Sequence, residues 1–167
     1  MRDLIPTMNN RTYCTLEDCQ TRAQSKIIEN IEKNGWSLVG VFGEEEGDFG
    51  HVYTVGLEHS FEHPEIAVVG VPFSTASGLL NGLAGLIADG RRFRPGEKPT
   101  DLPVRGRIRF DSIARHHYED YLNVGRWFYK GEEFRALQIV WPGPDGRYPD
   151  DPLYAGFLGI WQPLLRD

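Results

Sequence analysis

Apolar residues recur along the chain with the periods that are typical of helices and strands. Spacings of three and four residues predict an amphipathic helix that begins at Thr15 and ends at Gly35. Thr15 is a good N-cap, and acidic residues occupy the first turn that follows it. The same spacing predicts a second helix over residues 74–89, closed by Gly90, and a third, shorter helix over residues 113–122.

Apolar runs, β-branched and aromatic content, and a strict alternation over residues 104–110 predict five strands. They cover residues 36–42, 49–57, 65–71, 104–110 and 134–141. Short turns join the first three, which favours antiparallel pairing, and no regular alternation of strands and helices appears. We therefore predict a single α+β domain over residues 15–167, preceded by an arm at residues 1–14. Its core is an antiparallel or mixed sheet of about five strands, with two or three helices packed against one face.

The second predicted helix is unusual in its glycine content. Gly78, Gly82 and Gly85 each cost about 1 kcal/mol relative to alanine in a helix interior. We therefore expect another part of the backbone to pass close to these glycines.

Length, composition and net charge narrow the function classes. The chain has 167 residues, of which 40% are apolar, and a net charge of −6, so one globular domain with a sizeable core is expected. It contains no apolar run of the ~20 residues that a membrane helix needs and no secretory signal region, so we expect a cytoplasmic protein without a membrane partner. The negative net charge also argues against general binding of nucleic acid.

The charge is distributed unevenly along the chain. Residues 34–90 hold eight acids and no lysine or arginine, whereas residues 91–117 hold eight bases and three acids. Three interpretations are open: the two segments face each other, they form two solvated surfaces, or they bind copies of the chain together as a homo-oligomer.

Arginines form the sharpest chemical pattern of the sequence. Alternation in the predicted strand over residues 104–110 would place three guanidinium groups on one face, about 6.6 Å apart, and the preceding loop adds three more. A guanidinium is a rigid bidentate donor that suits carboxylates and phosphates. The pattern predicts a binding module for an anionic small molecule or an acidic partner, but a solvent-facing strand, or one paired with the acidic segment, would also show it. The candidate ligand-binding residues are Arg91, Arg92, Arg94, Arg105, Arg107 and Arg109.

Two segments with histidine offer other candidates for chemistry. His51 and Tyr53 share one face of the second predicted strand, where they are either core polar groups or the wall of a pocket with a catalytic role. His59 and His63 have the i, i+4 spacing of a metal pair on a helix, but Pro64 disfavours a helix there, so a solvated loop is favoured over a metal site. The alternative function is therefore a small hydrolase or transferase with a His/Tyr-lined pocket, with or without a metal. No cofactor is evident.

The two cysteines lie near the start of the first predicted helix. If Thr15 caps that helix, Cys14 and Cys19 occupy the two positions of a hydrophobic staple. A disulfide is disfavoured in a cytoplasmic protein, and a zinc site would need two further ligands at a suitable spacing.

Several short stretches occur in the order found in one known family. They are Gly35-Trp36, Tyr53-Thr54-Val55-Gly56-Leu57, His63-Pro64-Glu65, Leu79-Leu80-Asn81, Arg92-Phe93, Pro95-Gly96, Arg135-Ala136-Leu137-Gln138-Ile139-Val140-Trp141-Pro142, Asp145-Gly146-Arg147-Tyr148-Pro149 and Gln162-Pro163. Together they span roughly residues 20–165, and the chain resembles DUF4262, a bacterial family of domains of unknown function. The resemblance implies a small bacterial cytosolic protein, and it implies no activity, cofactor or catalytic residue.

Overall fold

The computed structural model describes residues 13–154 and 162–167, so most of the predicted N-terminal arm lies outside the described residues. The α-helices in the described ranges are α1 (Arg22–Asn34), α2 (Leu57–Phe61), α3 (Phe73–Ala88), α4 (Tyr118–Tyr121) and α5 (Asn123–Phe128). The strands in these ranges are β1 (Ser37–Val41), β2 (His51–Val55), β3 (Glu65–Val69), β4 (Arg109–Ser112) and β5 (Ala136–Val140).

The strands form one mixed sheet in the order β1-β2-β3-β5-β4. The pairs β1–β2, β2–β3 and β5–β4 are antiparallel, whereas β3 and β5 are parallel. The predicted α+β domain with a mixed sheet of five strands is confirmed.

Helices cover both faces of this sheet, and the prediction of helices on one face is wrong. In β2, Tyr53 and Val55 face the core beneath α1, α4 and α5, whereas Val52 faces the core beneath α3. All residues of β2, β3 and β5 are buried. A strand that is buried on both faces reads as a continuous apolar run instead of an alternation, and residues 66–69 of β3 show this pattern.

The first helix begins six residues later than predicted. Thr15 caps a single 3₁₀ turn at Leu16–Asp18, and α1 is capped instead by Thr21, whose hydroxyl accepts a hydrogen bond from the backbone N–H of Gln24 at 3.1 Å. Both threonines carry a local N-cap signal, and only the second precedes the apolar stripe that packs on the sheet. Gly35 ends α1 in the left-handed conformation, as predicted, with φ +98°.

The prediction of a strand over residues 104–110 is wrong for residues 104–108, which precede β4. Gly106 has φ +77°, and regular strand structure begins only at Arg109. A left-handed residue turns the backbone away from an extended path, so the alternation in the sequence does not become a strand with two faces. The predicted third helix is also divided, into a 3₁₀ turn at Arg115–His117 and the short α4.

Candidate functional site

A groove lies between α3 and the loop that returns from it towards β4. Helix α3 places one face against the sheet through Ala76, Leu80, Leu83, Ala84 and Ile87. Residues Leu102 and Val104 of the loop pack against the same core. The space between helix and loop has a volume of about 650 Å³. It is lined by Gly78, Leu79, Gly82, Leu83, Leu86, Arg91, Asp101, Leu102, Pro103 and Val104.

The glycines of α3 leave the floor of this groove open. A Cβ atom built on Gly78, Gly82 or Gly85 would have no described atom within 4 Å outside the helix's own backbone. The expectation that another part of the backbone passes close to these glycines is therefore wrong for the described residues. The glycines instead remove side chains from a helix face, which creates room beside the leucines of the groove.

Arg91 provides the positive charge that lines the groove. Its guanidinium pairs with Asp101 and with Glu97, each at 3.2 Å, and lies 5.1 Å from the centre of the Phe93 ring. Its Nε is buried and has no hydrogen-bond partner within the described residues. The side chain of Asp101 is 62% exposed, so this ion pair is screened by solvent and contributes little to stability.

Two of the other candidate arginines serve the fold. Arg109 is buried, donates to both carboxylate oxygens of Asp111 at 2.7 and 2.6 Å, and pairs with Asp150 at 3.0 Å. Arg92 donates to the carbonyl oxygens of Ile87 and Phe61 at 3.2 and 3.0 Å. The predicted row of three guanidinium groups on one strand face is therefore absent from the described structure, and Arg109 is already occupied by carboxylates.

The remaining candidate arginines are exposed, as is Lys98. Arg94, Arg105 and Arg107 have no ion pair within the described residues. The ammonium group of Lys98 lies 4.9 Å from the centre of the Tyr148 ring, and the Tyr148 hydroxyl donates to the carbonyl oxygen of Arg107 at 2.6 Å. We call Arg94, Lys98, Arg105 and Arg107 the basic surface.

The basic surface does not meet the acidic segment at residues 34–90. The ion pairs of residues 91–117 within the described structure lead to acids at or after residue 97. In particular, Arg107 has no contact with the acids of residues 44–46 among the ion pairs of the described chain. The two segments are therefore not joined by an ion pair within the described residues, and they meet instead through the hydrogen bonds that Arg92 and Phe93 donate to Phe61 and His63.

The segment around His59 and His63, for which a solvated loop is predicted, forms the short helix α2 followed by the buried polar residues His63 and Glu65. The carboxylate of Glu65 is fully buried and accepts hydrogen bonds from five donors. They are the hydroxyl groups of Thr54 (2.7 Å) and Tyr129 (2.5 Å) and the backbone N–H groups of Gly56 (2.9 Å), Leu57 (3.2 Å) and Glu58 (3.3 Å). Burial raises the pKa of Glu65 to about 7, although the donors act in the opposite direction. This carboxylate fixes the start of α2 to β2, β3 and the residue after α5.

Both ring nitrogens of His63 are occupied by the backbone. Nε2 accepts from the N–H of Phe93 at 3.0 Å, so Nδ1 carries the proton and donates to the carbonyl oxygen of Pro64 at 2.7 Å. Burial lowers the pKa of His63, which keeps the ring neutral. His59 packs instead against the rings of Tyr13 and Phe128, and the two histidines do not converge. No cluster of three or more His, Cys, Asp or Glu side chains is suited to a metal ion within residues 13–154 and 162–167.

His51 and Tyr53 are polar groups of the core with backbone partners. The Tyr53 hydroxyl accepts from the N–H of Val124 at 2.9 Å, and Nε2 of His51 lies 2.8 Å from the carbonyl oxygen of Tyr121. Burial lowers the pKa of His51 and raises that of Tyr53 to about 12. His51 lines a cavity of about 390 Å³ whose rim carries Glu44, Glu45 and Asp48, and Tyr53 is not part of its lining.

The cysteines are two free thiols in the described structure. Cys14 is buried and its Sγ donates to the carbonyl oxygen of Trp127 at 3.1 Å, whereas the Sγ of Cys19 donates to that of Thr15 at 3.6 Å. Because α1 begins after Thr21, the predicted staple positions do not exist, although both side chains contact the same core.

Sequence reasoning missed the loop side of the groove, at Leu102, Pro103 and Val104. The signal that could have found it is the pairing of costly helix glycines with an apolar stretch in a loop that is otherwise basic. It also missed Asp150, because an ion pair between residues 41 positions apart leaves no local pattern.

Comparison with known proteins gives the family and nothing beyond it. No helix of the described chain has the length and apolar character that crossing a membrane requires. No curated protein and no solved structure matches the sequence. The family model for DUF4262, described as a domain of unknown function, matches residues 30–155. The chain therefore belongs to the DUF4262 family.

Proposed function

We propose that the protein is a binding module for a small amphipathic anion, whose apolar body occupies the groove beside α3. The observation that carries this proposal is a groove of about 650 Å³ with a mostly hydrocarbon lining and only two charged residues, Arg91 and Asp101. Ligand sites of proteins are typically of this size, largely apolar, with a few polar groups that fix orientation.

The energetic cost of the glycines supports a role for the open groove. Gly78 and Gly82 each cost about 1 kcal/mol relative to alanine, and the space around them would accept a Cβ atom. Packing in the fold therefore does not require glycine at either position. A flat or extended apolar ligand that lies against the helix backbone does require it.

The charge of the loop beside the groove supports an anionic ligand. Residues 91–107 hold six bases and two acids. Arg91 lines the groove and also pairs with Glu97, and the second of its two partners, Asp101, is exposed enough to be replaced by a ligand carboxylate or sulfonate without burying a charge. The exposed Arg105 follows Val104 directly and adds positive potential near the same rim.

A matched pair of fluorescent probes tests both halves of the proposal. 1-Anilinonaphthalene-8-sulfonate and its neutral analogue N-phenyl-1-naphthylamine share an aromatic body and differ in the sulfonate. We expect both to bind the folded protein, the sulfonate more tightly, and decanoate to displace both in a fluorescence titration. Arg91→Gln should remove most of the difference between the two probes.

Variants of α3 show whether the probes occupy the groove. Gly82→Leu fills the floor of the groove and should abolish binding, whereas Ala88→Leu adds a side chain of the same size to the same helix outside the lining. Circular dichroism confirms that both variants are folded. Equal binding by the two variants, or no displacement by decanoate, would refute the proposal.

A further inference from the structure

One end of the sheet carries the acidic and basic residues at opposite edges. β1 ends at Val41, which pairs with His51 at the start of β2, and His51 pairs with Val69 at the end of β3. β5 runs parallel to β3 and ends at Val140, which pairs with Arg109 at the start of β4. The β1–β2 loop and the residues that lead into β4 therefore project beyond the same end of the sheet. Four strand spacings, about 19 Å, separate the two edges.

The edge formed by β1 and β2 is acidic and apolar. The loop carries the exposed Glu44, Glu45 and Glu46, which have no ion pair within the described residues. Phe42 at the base of the loop is 70% exposed and contacts the ring of Phe73. This edge presents an aromatic side chain beside three carboxylates that are exposed.

The edge formed by β4 is basic and apolar. A Cβ built on Gly106 would lie 3.2 Å from Cγ of Pro142, directly after β5, which places Arg105 and Arg107 at this end of the sheet. The loop after β5 donates a hydrogen bond to Arg107 through Tyr148 and also holds Leu153, which is 66% exposed. Phe42 and Leu153 are the two most exposed large apolar side chains of the described residues, and each accompanies one set of charges.

The arrangement is complementary to itself. A two-fold rotation about an axis normal to the sheet inverts the end of the sheet and exchanges its two edges. A second copy placed end to end in this way sets its basic edge against the acidic edge of the first copy, and the converse contact forms at the same time. Such an interface is closed after two copies, because each surface is used once.

We infer that this end of the sheet is a docking surface for a second copy of the chain. The acids of residues 44–46 of one copy contact Arg105 and Arg107 of the other, twice in each dimer. Phe42 and Leu153 supply the apolar part of the contact, and the charges set its register and orientation. The surface is separate from the groove beside α3 and does not depend on the proposed ligand.

Analytical ultracentrifugation of the full chain tests the inference over a range of concentrations. We expect a dimer with twice the 19.0 kDa mass of the chain. Raising the salt from about 0.1 M to about 1 M shortens the screening length from about 10 Å to about 3 Å and should shift the equilibrium towards monomer. A chain that stays monomeric at every concentration in low salt would overturn the inference.

Charge exchange identifies the surface. Arg105→Glu with Arg107→Glu, and separately Glu44→Lys with Glu45→Lys, should each give a monomer, because like charges then meet at both contacts. An equimolar mixture of the two double variants should restore the dimer, since every contact again joins opposite charges. Glu29→Lys with Glu32→Lys on α1 changes the charge of the chain equally and should leave the dimer intact.

Each outcome distinguishes this inference from the proposed function. A mixture that remains monomeric, or double variants that remain dimeric, would overturn the docking surface whatever the probes show. Gly82→Leu should dimerise like the wild type, so loss of probe binding in that variant leaves the docking surface untouched.

Discussion

Replacing the glycines of the groove by alanine should make the protein more stable. Gly78→Ala and Gly82→Ala each add a methyl group that meets no described atom within 4 Å, so neither introduces a clash. Each gains about 1 kcal/mol of helix propensity, and the double variant about 2 kcal/mol. For a domain of this size 1 kcal/mol corresponds to about 2–4 °C in Tm, so we expect a rise of about 4–8 °C.

Urea denaturation followed by far-ultraviolet circular dichroism measures the change, with Gly125→Ala as the matched control. A Cβ at Gly125 in α5 would lie 2.9 Å from Cζ of the buried Phe134, so the same substitution should destabilise there by about 1–3 kcal/mol. We also expect the double variant to bind the naphthalene probes more weakly, because its two methyl groups occupy the groove. Loss of stability in Gly82→Ala would refute the conclusion that this face of α3 is open.

Three further changes test other parts of the structure. Burial raises the pKa of Glu65 from 4.5 to about 7, so as the pH rises this carboxyl ionises in the unfolded chain before it ionises in the folded protein. The free energy of unfolding of the wild type, relative to that of Glu65→Gln, should therefore fall by about 3 kcal/mol from pH 4.5 to 7. Urea titrations that show the same difference between the two proteins at every pH in this range would contradict the prediction. Gly50→Ala should unfold the protein, since φ is +65° and the methyl group would overlap the carbonyl oxygen of Val41, whereas Gly47→Ala, with φ +88° and open space, should cost about 1–2 kcal/mol in the same assay. Burial raises the pKa of the Cys14 thiol, so this thiol should react slowly with Ellman's reagent. The Cys19→Ala variant, which keeps Cys14 alone, should therefore be labelled much more slowly than native wild-type protein, and equal rates would show that Cys14 is accessible.

Elements with strong local patterns could be predicted from the sequence. The predicted strand at residues 36–42 contains β1, and the helix predicted over residues 74–89 matches α3 to within one residue at each end. Both signals are periodic patterns within one continuous element, so the sequence alone carries them. The end of α1 at Gly35 is also a local effect of backbone conformation.

The arginine pattern failed because conformation at one residue decided the outcome. Gly106 takes a left-handed conformation, so the alternation around it never becomes a strand with two faces. The partners of Arg109 include Asp150, which a prediction limited to neighbouring residues does not find. Alternation of charged and apolar residues indicates a strand only where the backbone between them stays extended.

Buried polar residues were misjudged for the same physical reason. Pro64 and the density of charge around it favoured a solvated loop. Nearby donors supply four of the five hydrogen bonds to Glu65, but Tyr129 and Phe93, which complete the bonding of Glu65 and His63, are 64 and 30 residues away. A polar group is buried when its hydrogen bonds are satisfied, and that condition depends on tertiary contacts that no local pattern contains.

The residues that carry the family resemblance contribute mainly to the fold. Thr54 and Glu65 anchor α2, His63 holds the backbone of the loop after α3, and Gln138 accepts from the N–H of Leu165 at 2.8 Å and donates to Pro163 at 2.7 Å, which fixes the C-terminal residues. Most of the groove lining, including Gly78, Gly82 and the loop at residues 101–104, lies outside those stretches. The stretches that carry the resemblance are therefore engaged in the scaffold, whereas the groove is built mostly by residues of this chain that lie between them. Variants that test the proposed groove should therefore change the groove residues, because substitutions at His63, Glu65 or Gln138 would disturb the scaffold at the same time.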